Sequence, residues 1–321
     1  MHMADALLSP AVGGLMWAAS GAALVVASRR VQQQPDDRLV PLMGMLGAFV
    51  FSAQMINFAI PGTGSSGHLG GGLLLALLLG PWPALVVLAS VLTVQALLFA
   101  DGGLLALGAN IFNLGVLPCL VVYPLLYRPL AGRAPSSRRM AAAVMVSAVV
   151  GLLLGAAGVV LQTVASGISS LPLQSFAWLM LPIHTLIGVG EGLATLALVL
   201  FVRRHRPDLL QAALPARPAG NHGLRPALLG WAMAAALLGG VGSWFASTAP
   251  DGLEWSLLRA AGEPAAAAVP AAAEPWPAVK AQTSAAGLLG GAATLALVAG
   301  VGWALRHRRG RPAPPLPADR S

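Results

Sequence analysis

Apolar runs of membrane-crossing length alternate with short polar breaks along almost the whole chain. They fall at 11–28, 39–60, 83–100, 104–125, 140–164, 173–202, 226–247 and 285–305, with a shorter run at 72–80. A helix rises about 1.5 Å per residue, so about 20 apolar residues cross the hydrocarbon core. The run at 72–80 is too short for that unless it is tilted or buried in protein. Pro81 and Pro83 end it sharply. Only helices and closed barrels satisfy their own backbone groups in lipid. The pattern therefore predicts an all-α, polytopic membrane helical bundle with about nine transmembrane helices, seven in a first block and two in a hairpin.

Composition agrees with this pattern. Of 321 residues, 57% are hydrophobic and 9% charged, and the mean hydropathy is +0.76. Soluble domains carry about 25% charged residues. The net charge of +8 would suggest nucleic acid in a soluble protein, but loops on the cytoplasmic side of membrane proteins collect Arg. No nucleic-acid partner is expected; the lipid bilayer is. The single cysteine, Cys119, sits in an apolar run and reads as a small hydrophobe. No basic residue precedes the first apolar run, so an uncleaved first helix starting outside is expected.

The basic residues fix an orientation. With the N-terminus outside and 72–80 counted as a span, every Arg and Lys falls inside except Arg259 and Lys280. Dropping 72–80 scatters the arginines over both sides. The C-terminus is then cytoplasmic. Residues 1–204 make the seven-helix block and 205–225 a cytoplasmic linker rich in Pro, Ala, His and Arg. Residues 226–305 make a two-helix hairpin with an external loop at about 248–284, and 306–321 a disordered basic tail near anionic lipid. The Ala/Pro/Glu-rich part of that loop is expected to be mobile.

Two segments could carry chemistry. The loop Pro-Gly-Thr-Gly-Ser-Ser-Gly-His-Leu-Gly-Gly-Gly at 61–72 has no charge and one histidine, His68. Glycines let a backbone approach a ligand closely, and irregular backbone at membrane depth must be buried or line a cavity. The other segment is Met1-His2-Met3. A free amine on Met1, the amide nitrogen of His2 and its imidazole can chelate one metal in fused rings. Such a nitrogen field favours nickel(II) or copper(II), with cobalt(II) also possible. His68 would supply a fourth nitrogen from the same side of the membrane. A lone His2 would be an ordinary surface residue; the pairing makes it a ligand candidate.

Further candidates are weaker. His184 and Glu191 lie seven residues apart, on one face of a helix, and read either as a packing lock or as a supporting or gating pair. Asn57, Ser66 and Gly67 could support the His68 loop. Asn110 and Asn113 are expected to hydrogen-bond between helices, and Asp101 to cap a helix. Gly14, Ala18 and Ala22 recur every four residues and suggest a close partner helix, in this chain or another subunit; Ala19, Ala23 and Ala27 repeat the spacing. No GxxxxGK[ST] loop, Gly-x-Ser-x-Gly, His-Glu-x-x-His or Cys-x-x-Cys is present, so no enzyme activity is expected.

The segments MHMADALLSP, PLMGMLGAFVFSAQMINFAIPGTGSSGHLGGG, GPWPALVVLASVLTVQALLFADGGLLALGANIFNLG and HTLIGVGEG resemble the CbiM/NikM family over about 1–204. These are the metal-binding membrane subunits of energy-coupling factor transporters. APDGLEWSL resembles the small two-helix companion CbiN/NikN, here fused. The resemblance implies a nickel or cobalt ion held by Met1, His2 and His68, no cofactor beyond that ion, and a place in a bacterial inner membrane. It also implies a separate transmembrane coupling subunit and cytoplasmic ATPases. Met3 and Ala6 depart from the commonest family opening, MHIADG. A secondary metal-ion transporter, or a membrane metal sensor, working without an ATPase stays open beside it.

Overall fold

The computed structural model describes residues 2–34, 36–168, 172–210, 223–262 and 276–307, without the side chains of 276–278. The linker beyond Leu210, the Ala/Pro/Glu-rich part of the loop and the basic tail beyond His307 lie outside the described residues, as does Met1.

Each apolar run becomes a helix. They are α1 (Pro10–Gln32), α2 (Leu39–Gln54), α3 (Gly72–Leu79), α4 (Pro81–Leu98), α5 (Leu107–Ala131), α6 (Ser137–Ser166), α7 (Leu173–His205), α8 (Leu224–Gly240) and, after the short α9 (Gly252–Ala260), α10 (Trp276–His307). Six of them are long and apolar enough to cross a membrane: α1, α4, α5, α6, α7 and α10. The protein is a multi-pass helical membrane protein. Helices α2 and α8 are apolar but shorter. Helix α3 is buried along its whole length, which explains how so short an apolar piece is tolerated at depth. The break after it lies at Gly80, at φ 88°. Pro81 then starts α4 rather than ending α3, since an N1 proline lacks only a donor the first turn leaves unpaired. Helix α10 begins at Trp276, inside the stretch expected to be loop.

Helix starts follow the local chemistry. Ser9 caps α1 through Val12 N–H, with Pro10 at N1. Ser136 caps α6 through Arg139 N–H. Helix α5 winds in wide turns across Phe112–Tyr127, where Pro118 and Pro124 interrupt the donor ladder. Helices α6 and α7 pack along each other, and α8 and α10 lie on α2. Gly239 and Gly287 bring the α8 and α10 backbones together; a Cβ at Gly287 would meet the Gly239 carbonyl. On α1 the two small-residue rows part company. Gly14, Ala18 and Ala22 face outward, while Ala27 is buried and Ala19 and Ala23 are partly covered.

Among the described residues the named strands form one small hairpin, β1 (Phe58–Ile60) and β2 (Ser65–Gly67), with Phe58 opposite Gly67. Gly62 and Gly64, at φ 76° and 73°, turn the chain between the strands. The glycine-rich sequence, read as irregular loop, contributes one strand, Ser65–Gly67.

Replacing Gly287 by leucine should separate α10 from α8. Overpacking costs about 1–3 kcal/mol, so a fall in detergent-phase melting temperature is expected; an unchanged melting point refutes the contact.

Candidate metal site

The N-terminal segment folds back over the bundle because a buried side chain holds its backbone. Asn110 Oδ1 accepts Met3 N–H at 2.8 Å, and Asn110 Nδ2 donates to Met3 O at 3.1 Å. Gly103 N–H also reaches Met3 O, at 3.1 Å. Asp5 Oδ1 accepts Ala106 N–H at 2.9 Å. Two-sided pairing of this kind fixes position and direction together, since a buried amide left unpaired costs about 1–3 kcal/mol. The Met3 side chain is fully buried and adds an apolar anchor.

This places His2 against the glycine-rich loop. The rings of His2 and His68 stack, with centroids 5.0 Å apart and planes 3° from parallel. His2 Nδ1 meets Asp101 Oδ1 at 3.2 Å, and Nε2 is buried with no hydrogen-bond partner. His68 is 9% exposed. Its Nδ1 lies 3.1 Å from the carbonyl of Leu69, so Nδ1 carries the proton and Nε2 the lone pair. Burial above all, with His2 beside it, brings the pKa of His68 down to about 4; the ring is neutral at pH 7. For Asp101, partial burial pushes the pKa up, but the charge and hydrogen bond of His2 hold it at about 2.

The loop beneath the rings is fixed by three helices. Glu191 on α7 accepts Gly71 N–H at 3.1 Å and Gly70 N–H at 3.3 Å. Gln54 on α2 donates to Gly70 O at 2.9 Å, and Gln95 on α4 donates to Gln54 Oε1 at 2.8 Å. A Cβ at Gly70 would stand 2.9 Å from a Glu191 oxygen, so glycine is required for the contact. From the other side the hairpin loop closes in. Ser66 N–H donates to Pro250 O at 2.8 Å and Ser66 Oγ to Ala249 O at 2.7 Å. Ser66 also bridges Asp251 in parallel strand fashion. Trp255 Nε1 donates to Thr63 O at 3.0 Å.

The structure thus brings His2, Ser66, Gly67, His68, His184 and Glu191 to one region. Asn57 stands apart: its backbone carbonyl accepts Ser247 N–H at 2.7 Å, tying the two blocks together away from the rings. Gly14, Ala18 and Ala22 face outward on α1. Asp101, expected to cap a helix, instead holds His2; its loop position lets the carboxylate turn inward, and Asp5 caps the following turn. Sequence reasoning missed Asp251. Its Oδ1 accepts the N–H groups of Leu253 and Glu254 at 2.9 Å and so caps α9, which carries it to the cavity wall beside His68 and His184. The only available signal was its place in Pro-Asp-Gly-Leu-Glu. Asn113 pairs with Gln162 on α6, at 2.8 and 3.0 Å, as an interhelical residue should. Among the described residues, no three His, Cys, Asp or Glu side chains converge into a ready ligand set. An ion held between the stacked rings would draw on backbone or terminal nitrogens as well.

The fold and this region define a helical membrane protein whose N-terminal segment, glycine-rich loop and hairpin loop enclose a buried pair of imidazoles. Residues 2–209 match the family described as the cobalt uptake substrate-specific transmembrane region, and the chain belongs to it. Residues 225–275 match the PDGLE domain. A putative fused nickel transport protein NikMN of Archaeoglobus fulgidus is 36% identical, over 68% of this chain and 71% of its own. The fused nickel transport protein NikMN of Rhodobacter capsulatus is 31% identical, over 65% of this chain and 64% of its own. The crystal structure of a truncated transition metal transporter is 34% identical with a TM-score of 0.54, covering 64% of this chain and 99% of that one.

Replacing Asn110 by leucine leaves the Met3 amide and carbonyl short of partners. Hydrogen exchange across residues 2–8 should accelerate by about tenfold or more, tenfold being about 1.4 kcal/mol. Unchanged exchange would show that another contact holds the segment.

Proposed function

We propose that this chain is the substrate-capture subunit of an ATP-driven energy-coupling factor importer for nickel(II) or cobalt(II). The observation that carries the reading is the buried, parallel stacking of His2 on His68. The Met1 amine, the His2 amide nitrogen and His2 Nδ1 close fused chelate rings, and His68 Nε2 supplies the fourth nitrogen. Ion binding exchanges the Asp101 contact of His2 Nδ1 for the cation and keeps a carboxylate beside the incoming charge. A nitrogen-rich field of this kind selects nickel and cobalt over calcium and magnesium, which require oxygen ligands. Asn110, Asp5 and Gly103 hold the chelating segment in place. Ser66 and Gly67 hold the loop against the hairpin.

The family supports transport, and the absence of a phosphate-binding loop supports ATP hydrolysis on separate cytoplasmic subunits joined through a transmembrane coupling subunit. Clustering of Arg on one side supports a bacterial inner-membrane location with the N-terminus outside and the C-terminus inside. In this reading the seven-helix block captures the ion, the hairpin closes the chamber, and the outward row Gly14, Ala18 and Ala22 is available to a coupling helix.

The buried carboxylate of Glu191 favours a second reading, a secondary transporter coupled to an ion gradient. Both its oxygens are already engaged by loop amides, which supports a holding role instead.

Three variants test the capture site in the purified full chain: His2→Ala, His68→Ala and one alanine inserted before Met1. Each should weaken nickel binding at least about 100-fold, about 2.7 kcal/mol. Undisturbed binding by the insertion variant would falsify the chelate. Isotope uptake in cells should require the ATPase partners; uptake by this chain alone, abolished by uncouplers, would establish the secondary reading.

A further inference from the structure

Beside the stacked rings lies a buried polar group that the capture site does not use. His184 on α7 is 1% exposed. Its Nδ1 sits 2.8 Å from the Met180 carbonyl, one turn back. That carbonyl can only accept, so Nδ1 carries the proton and Nε2 the lone pair. Nε2 is buried with no hydrogen-bond partner. Buried polar atoms are rarely left so, and each calls for an explanation.

His184 borders a cavity that His68 and Asp251 also line. About 10 Å³ is open to the centre of a water-sized sphere, room for one water or one stripped ion. Gly252 keeps it open: a Cβ there would stand 2.8 Å from His184 Cε1 and 3.1 Å from Nε2. A second cavity of the same size follows, bordered by Asn113, Ser147 and Glu191. Gly70, Leu114 and Leu152 line both chambers. The Ser147 hydroxyl is likewise buried without a partner. Imidazole, carboxylate and hydroxyl groups thus line two adjoining water-sized cavities in an otherwise apolar bundle.

We propose that His184 Nε2 and the Asp251 carboxylate form an inner site for a divalent transition-metal ion, which receives the ion as it leaves His68. An imidazole nitrogen and a carboxylate oxygen suit a borderline cation. Because His68 faces the same cavity, the ion exchanges one imidazole for the next and never meets bare hydrocarbon. Asp251 supplies negative charge where an uncompensated cation would be costly. The hairpin thereby contributes a ligand, and Gly252 beside it leaves the room that the His184 ring needs. This inference rests on the capture reading above and extends it inward.

Cobalt(II) titration of the full chain in nanodiscs tests it, followed by equilibrium dialysis and visible d–d absorption. The unaltered chain should bind two ions, the second more weakly. His184→Gln should bind one and lose the absorption of the second. Gly252→Ala, which crowds the imidazole without removing it, should also bind one. His2→Ala should lose the tight ion and keep the weak one. A single ion on the unaltered chain would mean that the cavity holds water only and would overturn the inner site. So would two ions on both His184→Gln and Gly252→Ala. If His184→Gln loses helical structure, Gly252→Ala decides alone. Retention of the tight ion by His2→Ala would instead sink the capture reading, whatever His184→Gln shows.

Discussion

Backbone that is neither helix nor closed barrel survives at membrane depth only where the protein buries and pairs its polar groups or where it lines a cavity. That constraint organises this molecule. The glycine-rich loop before α3 enters the bundle with its amides and carbonyls bare. Glu191 takes the amides of Gly70 and Gly71, and Gln54 takes the carbonyl of Gly70. Gln95 steadies Gln54. Three helices thus converge on one short stretch of chain, and His68 inherits its position from them. Glu191 reads more naturally as the anchor of this loop than as a carrier of protons.

The same rule applies to the N-terminal segment. Met3 has no strand or helix to satisfy its backbone, and Asn110 imitates one by pairing with both its groups. The hairpin block does the same for β2, through Pro250 and Ala249. Three segments far apart in sequence therefore enclose one chamber, each held by side chains from elsewhere. The fused hairpin is consequently part of the chamber wall rather than an appendage beside it. Its Asp251 caps α9 and faces the cavity at once.

The electrostatics follow from that enclosure. Burial keeps the His68 ring neutral, so a lone pair is available at physiological pH. Asp101 stays ionised next to His2 despite its partial burial. Only the His68 ring is ready to bind without losing a proton; an amine or a backbone amide nitrogen must release one first, so metal binding through them would be coupled to proton release.

The helices were legible in the sequence because lipid demands long apolar runs, and each run became a helix. So was the pairing of His2 with His68, the imidazoles in the two segments of unusual composition; for α3, too short to span alone, the sequence left tilt and burial open, and the structure shows it buried. The helices and the pairing follow from local pattern. Asp101 was misread, because a carboxylate in a loop can cap a helix or hold a histidine, and only the path of the chain decides which. The hairpin at 58–67 was hidden because its glycines signal freedom, not pairing. Asp251 was invisible because its role depends on a contact across about 180 residues with Ser66. Composition and periodicity determined that the chain crosses a membrane, and local sequence singled out the two imidazoles. Tertiary structure decided which of them meet, because long-range pairing of bare backbone leaves no periodic trace.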